Sequence, residues 1–362
     1  MSRASRVGPW QRFILTGCGA GFRPAGSRSL RLRAGAEQGQ EQEQGQEQEQ
    51  EICPTLLSKV NPFSPNPLDR RPRPAYKVAM IHIGIHTDNW RPLSVGFEAA
   101  CEKIAATGIK HIEFCAIHGQ NFIAALGYDP GVSLQSNPLA IRRFLDKLGL
   151  QVSQIDGSYP MMGPNGSAFG VQYVTQTIRF AAELGCPMVD TVDGAFEIPG
   201  LTRKEVFRVT CDNYRQCLSW AEDYKVIINV EPHGPYTNDI EFMQNLFKEF
   251  DSEYLQCNFD TGNTFIAGHN PLDYLKALRK YVCHCHIKDV SPALAATVRG
   301  EETGIGSSEV PVGGGVNADN IRDCMAFLHQ GGWAGVVSLE CNGTDENTRR
   351  SVEWMRAVIR GA

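Results

Sequence analysis

The sequence contains no run of about 18 consecutive apolar residues, the length that a membrane-spanning helix requires. We therefore predict that no helix of this protein crosses a membrane. The sequence also lacks any Cys-x-x-Cys pair, although it contains 12 cysteines. Because the cysteines are scattered, and several such as Cys257 and Cys283 lie in apolar segments, we expect buried reduced thiols rather than a disulfide framework.

Positive charge is scarce in most of the chain. The formal net charge is −5, but residues 1–75 have a net charge of +4 and residues 76–362 a net charge of −9. A protein that binds the phosphate backbone of a nucleic acid needs a basic face. The acidity of residues 76–362 therefore argues against a nucleic-acid partner.

The first 75 residues have the composition of a leader rather than of a folded domain. Residues 1–36 contain seven Arg and no acidic residue, as in an organelle transit peptide; a disordered tail or a true start near Met80 is the alternative. Residues 37–51 contain only Glu, Gln and Gly, a low-complexity tract, and residues 52–75 form a Pro-rich linker. We predict a catalytic domain at 76–362, located in the cytoplasm, or in an organelle if the leader is a transit peptide.

Residues 76–362 read as a repeating β–α array. Helix start and stop signals separate the apolar segments: Thr202 and Glu205 form a capping box, and Gly149 and Gly185 stand where helices should end. Eight units of about 36 residues predict a closed (β/α)8 TIM barrel of the α/β class. An open doubly wound sheet is the alternative, weakened because no Gly-x-Gly-x-x-Gly follows the first strand. The strands are predicted at 77–85, 110–116, 151–156, 187–192, 225–231, 254–260, 281–287 and 335–340.

The last four predicted strands each end in a residue that can bind a metal ion: Glu231, Asp260, His286 and Glu340. Strand ends of a parallel barrel meet at one mouth, so these side chains can converge despite their distance in sequence. Three carboxylates and one imidazole make an oxygen-rich site that suits Mn²⁺, Mg²⁺ or Co²⁺, with Zn²⁺ as a further candidate. The alternative for each acidic residue alone is that it is solvated or caps the next helix.

The region from Val226 to Glu340 resembles the sugar phosphate isomerase/epimerase superfamily, whose members have a xylose-isomerase-like barrel. That group includes ketose 3-epimerases, inosose dehydratases and hydroxypyruvate isomerases. The motifs that carry the resemblance are Glu-Pro at 231–232, Asp-Thr-Gly at 260–262, His-Ile-Lys-Asp at 286–289, Pro-Val-Gly-Gly-Gly at 311–315 and Trp-Ala-Gly-Val-Val-Ser-Leu-Glu at 333–340.

The resemblance implies that Glu231, Asp260, His286 and Glu340 hold one divalent metal ion, with Mn²⁺ expected first. It also implies that Glu231 and Glu340 act as the acid/base pair on a small sugar or polyol, and that the protein is a homo-oligomer, a dimer or a tetramer. A pair of carboxylates that flank a carbon next to a carbonyl can remove its proton on one face and return it on the other.

Three positions depart from the ketose epimerases at substrate contacts: Thr237 stands for a Glu, Asn263 for a His and Pro292 for an Arg. These departures weaken the expectation of a simple ketose substrate and leave the metal set intact. We predict substitute contacts from His233, Asn263 and Lys288. In the alternatives, His233 caps a loop, Lys288 pairs with Asp289 and Asn263 bonds its own turn.

The early strands offer further candidates for the mouth. We predict that His118 and Trp90 contact the substrate, although a packed loop aromatic is equally expected of Trp90. Glu113 could face the mouth or bond a polar residue of a neighbouring strand, and His86 could simply bond loop backbone. Gly313–Gly315 could cradle a phosphate or only allow a tight loop. Cys283 and Cys285 alternate with His284 and His286 and should face outward.

The sequence therefore predicts a divalent-metal-dependent isomerase or epimerase of a ketose, keto-sugar or polyol that moves a proton next to a carbonyl. The first alternative is a metal-dependent dehydratase or lyase on a keto-inositol or 3-keto-glycoside. A second is an abasic-site endonuclease of the endonuclease IV type, which Asn263 and the acidic body disfavour. A third is a sugar-binding barrel without catalysis.

Overall fold

The computed structural model describes residues 80–117, 130–194, 196–300, 304–341 and 343–361 of the chain. The predicted leader at 1–75 and the predicted contact His118 lie outside these residues. Among the described helices, none combines the length and the apolarity needed to cross a membrane.

Eight parallel strands close into a barrel in the described part of the chain. Their order around the barrel is β1-β2-β4-β5-β6-β7-β8-β9, and β9 pairs with β1 to close it. This confirms the predicted (β/α)8 barrel. The strands are β1 Ile81–His86, β2 His111–Ile117, β3 Val132–Ser133, β4 Gln151–Pro160, β5 Met188–Val192, β6 Ile227–Val230, β7 Leu255–Asp260, β8 Val282–Ile287 and β9 Gly335–Leu339.

All eight predicted strands are present, with differences at their ends. β4 continues four residues beyond its predicted end, to Pro160. β3 was not predicted, because two residues carry no readable periodicity; it pairs only with the end of β2, where Ala116 faces Val132.

Helices separate the strands, and several of them begin and end at the capping residues that the sequence predicted. Asn137 accepts the N–H groups of Leu139 and Ala140 at the start of one helix, which ends at Gly149 with φ 69°. Thr202 and Glu205 form the predicted capping box. The helices are α1 Phe97–Ala106, α2 Pro138–Leu148, α3 Val171–Leu184, α4 Arg203–Tyr224, α5 Ile240–Phe250, α6 Thr261–Ile266, α7 Pro271–Leu278, α8 Pro292–Val298, α9 Ala318–Gln330 and α10 Asp345–Gly361; shorter helical turns lie at Thr87–Leu93, Gly163–Asn165 and Gly166–Gly170.

A β-bulge in β8 makes the predicted orientation of Cys283 wrong. Cys257 pairs with Val282, but the next residue, Asn258, pairs with His284, so Cys283 is an extra residue in the ladder. Its thiol donates a hydrogen bond to Oδ1 of Asn229 at 2.9 Å, inside the barrel. Cys285 follows the bulge and is fully buried beside Cys324 of α9, as an outward residue should be.

A polar layer fills the barrel beneath the strand ends, where TIM barrels usually place bulky branched side chains. Each member comes from a different strand and is fully buried. Because an unpaired buried polar group costs about 1–3 kcal/mol, the layer is stable only where its members bond one another. The members are Glu113 of β2, Gln154 of β4, Asn229 of β6, Asn258 of β7 and His284 of β8.

The loop after β8 folds around the carboxylate of Asp289, which makes the phosphate-cradle interpretation of Gly313–Gly315 wrong. Oδ2 of Asp289 accepts the N–H groups of Gly313 and Gly315 at 2.9 Å each, and the N–H of Gly314 donates to Pro311. Oδ1 accepts the N–H groups of Val290 and Asn317. A Cβ atom at Gly315 would collide with Asp289 and Val290, so glycine here allows close packing and leaves no N–H free for phosphate.

We expect Asp289→Asn to lower the free energy of unfolding by about 3 kcal/mol, because the new amide presents NH₂ to backbone donors that need an acceptor. Chemical denaturation with a two-state fit measures the change. Asp319→Asn is the control, since Asp319 is 93% exposed and an exposed ion pair contributes little. Equal stability of the two variants would contradict the role of Asp289.

Candidate metal and catalytic site

Four side chains from neighbouring strand ends meet at one end of the barrel. Asp260 and His286 are the last inward residues of β7 and β8, and they are register partners. Glu231 follows β6 and Glu340 follows β9; each is held by a backbone bond, to Thr191 O and to Ile287 O. The structure thus brings together all four residues that the sequence predicts as metal ligands.

His286 stands at the centre of this cluster. Its Nδ1 atom lies 3.3 Å from Oε1 of Glu231 and 3.3 Å from Oε1 of Glu340. Its Nε2 atom faces Glu113, 2.9 Å from Oε1. Burial alone would lower the pKa of His286, but Glu113, Glu340 and Glu231 outweigh burial and raise it well above the usual range.

Lys288, two residues further along the chain, places its ammonium among the carboxylates. Nζ lies 3.1 Å from Oδ2 of Asp260 and 2.7 Å from Oε2 of Glu340. Gly262 makes room for the lysine stem, because a Cβ atom there would lie 2.6 Å from Cβ of Lys288. Burial opposes the charge of Lys288, but Asp260 and Glu340 raise its pKa above the usual value.

The carboxylates of the cluster respond differently to their surroundings. Burial would raise the pKa of Glu231, but His286 and His233 bring it well below the usual range. Burial also opposes ionisation of Glu340, and Lys288 and His286 lower its pKa. Burial raises the pKa of Asp260 to about 7, because Lys288 compensates only part of the penalty.

Asp260 also caps the following helix. Its Oδ1 atom accepts the N–H groups of Gly262 at 2.6 Å and Asn263 at 2.8 Å, at the start of α6. The capping interpretation therefore applies to one oxygen, while Oδ2 faces the cluster. A single carboxylate serves both purposes because its two oxygens point to different partners.

The predicted substrate contacts have different surroundings. Asn263 is fully buried, donates to Oε1 of Glu231 at 2.8 Å and accepts from Lys288 at 3.1 Å, so it holds the cluster rather than its own turn. The backbone N–H of His233 donates to Oγ1 of Thr237, and its Nδ1 has no hydrogen-bond partner in the described residues. His233 therefore has a ring nitrogen available to a substrate, whereas the amide of Asn263 already bonds Glu231 and Lys288.

Trp90 lies in the hydrophobic core and is 1% exposed. Its indole N–H donates to Oδ1 of Asp345, at the start of α10, at 2.7 Å. These contacts give Trp90 a packing role, and a sugar-binding wall formed by its ring stays a prediction.

His86 and Asp156 lie on the early strands near Cys115. Nε2 of His86 is 3.8 Å from Oδ2 of Asp156, which accepts the thiol of Cys115 at 3.0 Å. Nδ1 of His86 accepts the N–H of Asp88 at 3.0 Å, so the ring proton sits on Nε2. His86 is therefore better suited to donate a hydrogen bond than to bind a metal through Nε2.

Asp190 is a residue of the site that sequence reasoning missed. It is fully buried in β5, and one of its oxygens lies within 4.8 Å of ligand atoms of Glu231 and His286. Burial and Glu231 raise its pKa well above the usual range. Asp190 ends no predicted strand, so only its inward register, opposite Asn229, could have indicated it.

The donor set fits a divalent cation. One ligand atom each from Asp260, His286 and Glu340 lies within 4.8 Å of the others, and Glu231 faces the same nitrogen of His286. Three carboxylates carry more negative charge than Lys288 alone can neutralise, and among the described residues the groups that could bind a metal with His286 include no cysteine, so a structural zinc site of the thiolate type is disfavoured.

Fold and site together define a parallel (β/α)8 barrel with candidate metal ligands at the ends of its strands. Residues 101–358 match the family model of the xylose isomerase-like TIM barrel, and the chain belongs to that family.

The relatives include both dehydratases and epimerases. An inosose dehydratase of Clostridium botulinum (strain Eklund 17B / Type B) is 27% identical over 120 residues, which are 31% of this chain and 40% of that protein. The IolI protein with a bound zinc atom superposes with a TM-score of 0.61, at 14% identity, over 77% of this chain and 98% of that one. The 3-keto-D-glucoside 4-epimerase YcjR of E. coli gives 0.59 at 16% identity, over 77% and 100%.

We expect Lys288→Gln to lower the stability of the metal-free protein by about 3–5 kcal/mol, because it leaves buried carboxylates without their counter-charge. Added Mn²⁺ should then raise Tm more in Lys288→Gln than in the wild type. Thermal unfolding with and without Mn²⁺ measures both effects. Lys276→Gln, at a half-exposed lysine, is the control. An equal rise in Tm for all three proteins would refute this role of Lys288.

Proposed function

We propose that the protein is a divalent-metal-dependent isomerase or epimerase of a ketose, keto-sugar or related polyol, and that it moves a proton next to a carbonyl. The observation that supports this most is the arrangement of Glu231 and Glu340, each 3.3 Å from the same nitrogen of His286. Two carboxylates beside one centre can remove a proton from a carbon and return one to it when the first is ionised and the second carries a proton.

Glu231, Asp260, His286 and Glu340 would hold the metal ion, and the oxygen-rich set favours Mn²⁺. The zinc of the IolI relative makes Zn²⁺ the second candidate. When bound, the metal would polarise the carbonyl and the neighbouring hydroxyl of the substrate as a Lewis acid.

The remaining steps belong to side chains of the chain. The ionised glutamate takes the proton from the carbon, and the other glutamate, after taking up a proton from solvent, returns that proton on the opposite face. Asn263 orients Glu231 through Oε1, and Lys288 orients Glu340 through Oε2. His233 and His86 offer hydrogen bonds to substrate hydroxyls, because each has a buried ring nitrogen without a partner in the described residues.

A dehydratase is the second candidate, supported by the inosose dehydratase relative. It would begin with the same proton removal and then expel a hydroxyl from the next carbon. Lys288 could donate a proton to that leaving hydroxyl, since its ammonium lies among the carboxylates, 2.7 Å from Oε2 of Glu340. We also propose that the protein acts as a homodimer or homotetramer.

We expect Glu231→Gln and Glu340→Gln to fold and to lose turnover by about 10²-fold or more, because an amide cannot accept the proton. Initial rates with Mn²⁺, together with circular dichroism, measure the two properties. Glu183→Gln is the matched control, at a half-exposed glutamate of α3. Full activity of the Glu340→Gln variant would contradict the assignment of Glu340 to the acid/base pair.

Reaction in D₂O separates the two candidate reactions. We expect that, among ketoses, keto-inositols and 3-keto-glycosides supplied with Mn²⁺, one substrate acquires solvent deuterium at a carbon that the product retains. NMR of the products detects it, and removal of the metal with EDTA should abolish it. Loss of water or of an aglycone would establish the dehydratase or lyase instead.

A further inference from the structure

Glu113 is a buried carboxylate beneath the proposed metal site and has no part in the proton transfer described above. Its Oε1 atom lies 2.9 Å from Nε2 of His286, on the side of the ring that faces away from Glu231 and Glu340. The side chain is fully buried. A buried ionised carboxylate can only accept hydrogen bonds, so the ring nitrogen that faces it must carry a proton.

The orientation of Glu113 is fixed by a row of amides that all donate towards it. Nδ2 of Asn229 donates to Oε1 of Gln154, and Nε2 of Gln154 donates to Oε1 of Glu113 at 2.8 Å. Because the oxygen of Gln154 is used by Asn229, its NH₂ end must face Glu113. The carboxylate therefore receives donors from two directions, Gln154 and His286.

The second oxygen of Glu113 faces a second histidine. Oε2 lies 3.8 Å from Nε2 of His284, too far for a hydrogen bond, and neither atom has a hydrogen-bond partner in the described residues. Nδ1 of His284 lies 3.0 Å from Oδ1 of Asn258, and Nδ2 of the same amide lies 3.2 Å from Nε2 of His286; exchanging the two ends of this amide would turn its oxygen towards the Nε2 proton of His286. Glu113 thus stands between the Nε2 atoms of both interior histidines of β8.

We propose that Glu113 is a positioning residue: it keeps a proton on Nε2 of His286, so that the lone pair of Nδ1 is directed at the cation between Glu231, Asp260 and Glu340. The proposal rests on the proposed metal site. Histidine ligands of metals generally donate their other ring N–H to a carboxylate or carbonyl, and loss of that partner weakens binding about 10–100-fold. Here the partner comes from β2, on the far side of the barrel from the last four strands.

The first test measures cation affinity. Apo-protein is titrated with Mn²⁺ or Zn²⁺ by chelator competition, and we expect Glu113→Gln to bind about 10–100-fold more weakly than the wild type. Ser338→Ala is the matched control, because Ser338 is fully buried and is the register partner of His286 on β9, and its hydroxyl has no hydrogen-bond partner in the described residues. Unchanged affinity in Glu113→Gln overturns the proposal.

Glu113→Asp keeps the charge and withdraws the carboxylate by one methylene. It covers the case in which Glu113→Gln does not fold, and circular dichroism checks both variants. We expect weaker binding in Glu113→Asp as well. Two bound ions per chain in the wild type, with one lost in these variants, overturn the proposal, because Glu113 would then be a ligand of its own ion with His284 and His286.

The second test reads the proton directly and needs no metal. Proton–nitrogen correlation NMR of protein labelled at its nine histidines should show a slowly exchanging Nε2–H of His286 in the wild type, and its loss or displacement in Glu113→Gln. If this holds but no divalent ion binds, the proposed function fails and the positioning role stands. If ions bind but the proton is unaffected by Glu113→Gln, the positioning role fails and the proposed function stands.

Discussion

Burying carboxylates together requires positive charge among them, and the mouth of this barrel is arranged around that requirement. Glu231, Asp260 and Glu340 approach one another where water is largely excluded, and the chain supplies two cationic groups, His286 near the end of β8 and Lys288 directly after that strand. Both face the cluster because strand side chains alternate with a period of two. The same surplus of negative charge that needs these groups is what attracts a divalent cation.

Support for the cluster extends downward into the barrel. Most TIM barrels fill this space with branched apolar side chains, but here amides, a carboxylate and an imidazole occupy it. Such a layer contributes less hydrophobic stabilisation than an apolar one. Its hydrogen bonds instead fix the orientation of each side chain, and metal ligands depend more on a fixed orientation than on additional buried apolar area.

The sequence was informative where chemistry coincides with a local signal. The strands were predictable from apolar runs, and the four ligand candidates from their places at strand ends. Gln154 and Asn229 could not be recognised in this way, because they are mid-strand residues whose role depends on register between strands. The bulge at Cys283 reverses the expected alternation, and a single sequence contains no sign of it. Gly313–Gly315 gave a misleading signal, since the anion that they enclose is the chain's own Asp289.

Lys288 and Asp289 are neighbours in sequence, but their side chains bond different parts of the structure. Lys288 places its ammonium among the carboxylates, and the carboxylate of Asp289 accepts hydrogen bonds from the backbone N–H groups of residues 313, 315 and 317. Asn317 strengthens this connection, because its side chain donates to the backbone oxygens of Thr261 and Lys288. A displacement of this loop at Asp289 would therefore also displace Lys288, its neighbour in the chain. If such a displacement changes the affinity of the cluster for a cation, then by reciprocity the bound cation changes the free energy of displacing the loop by the same amount.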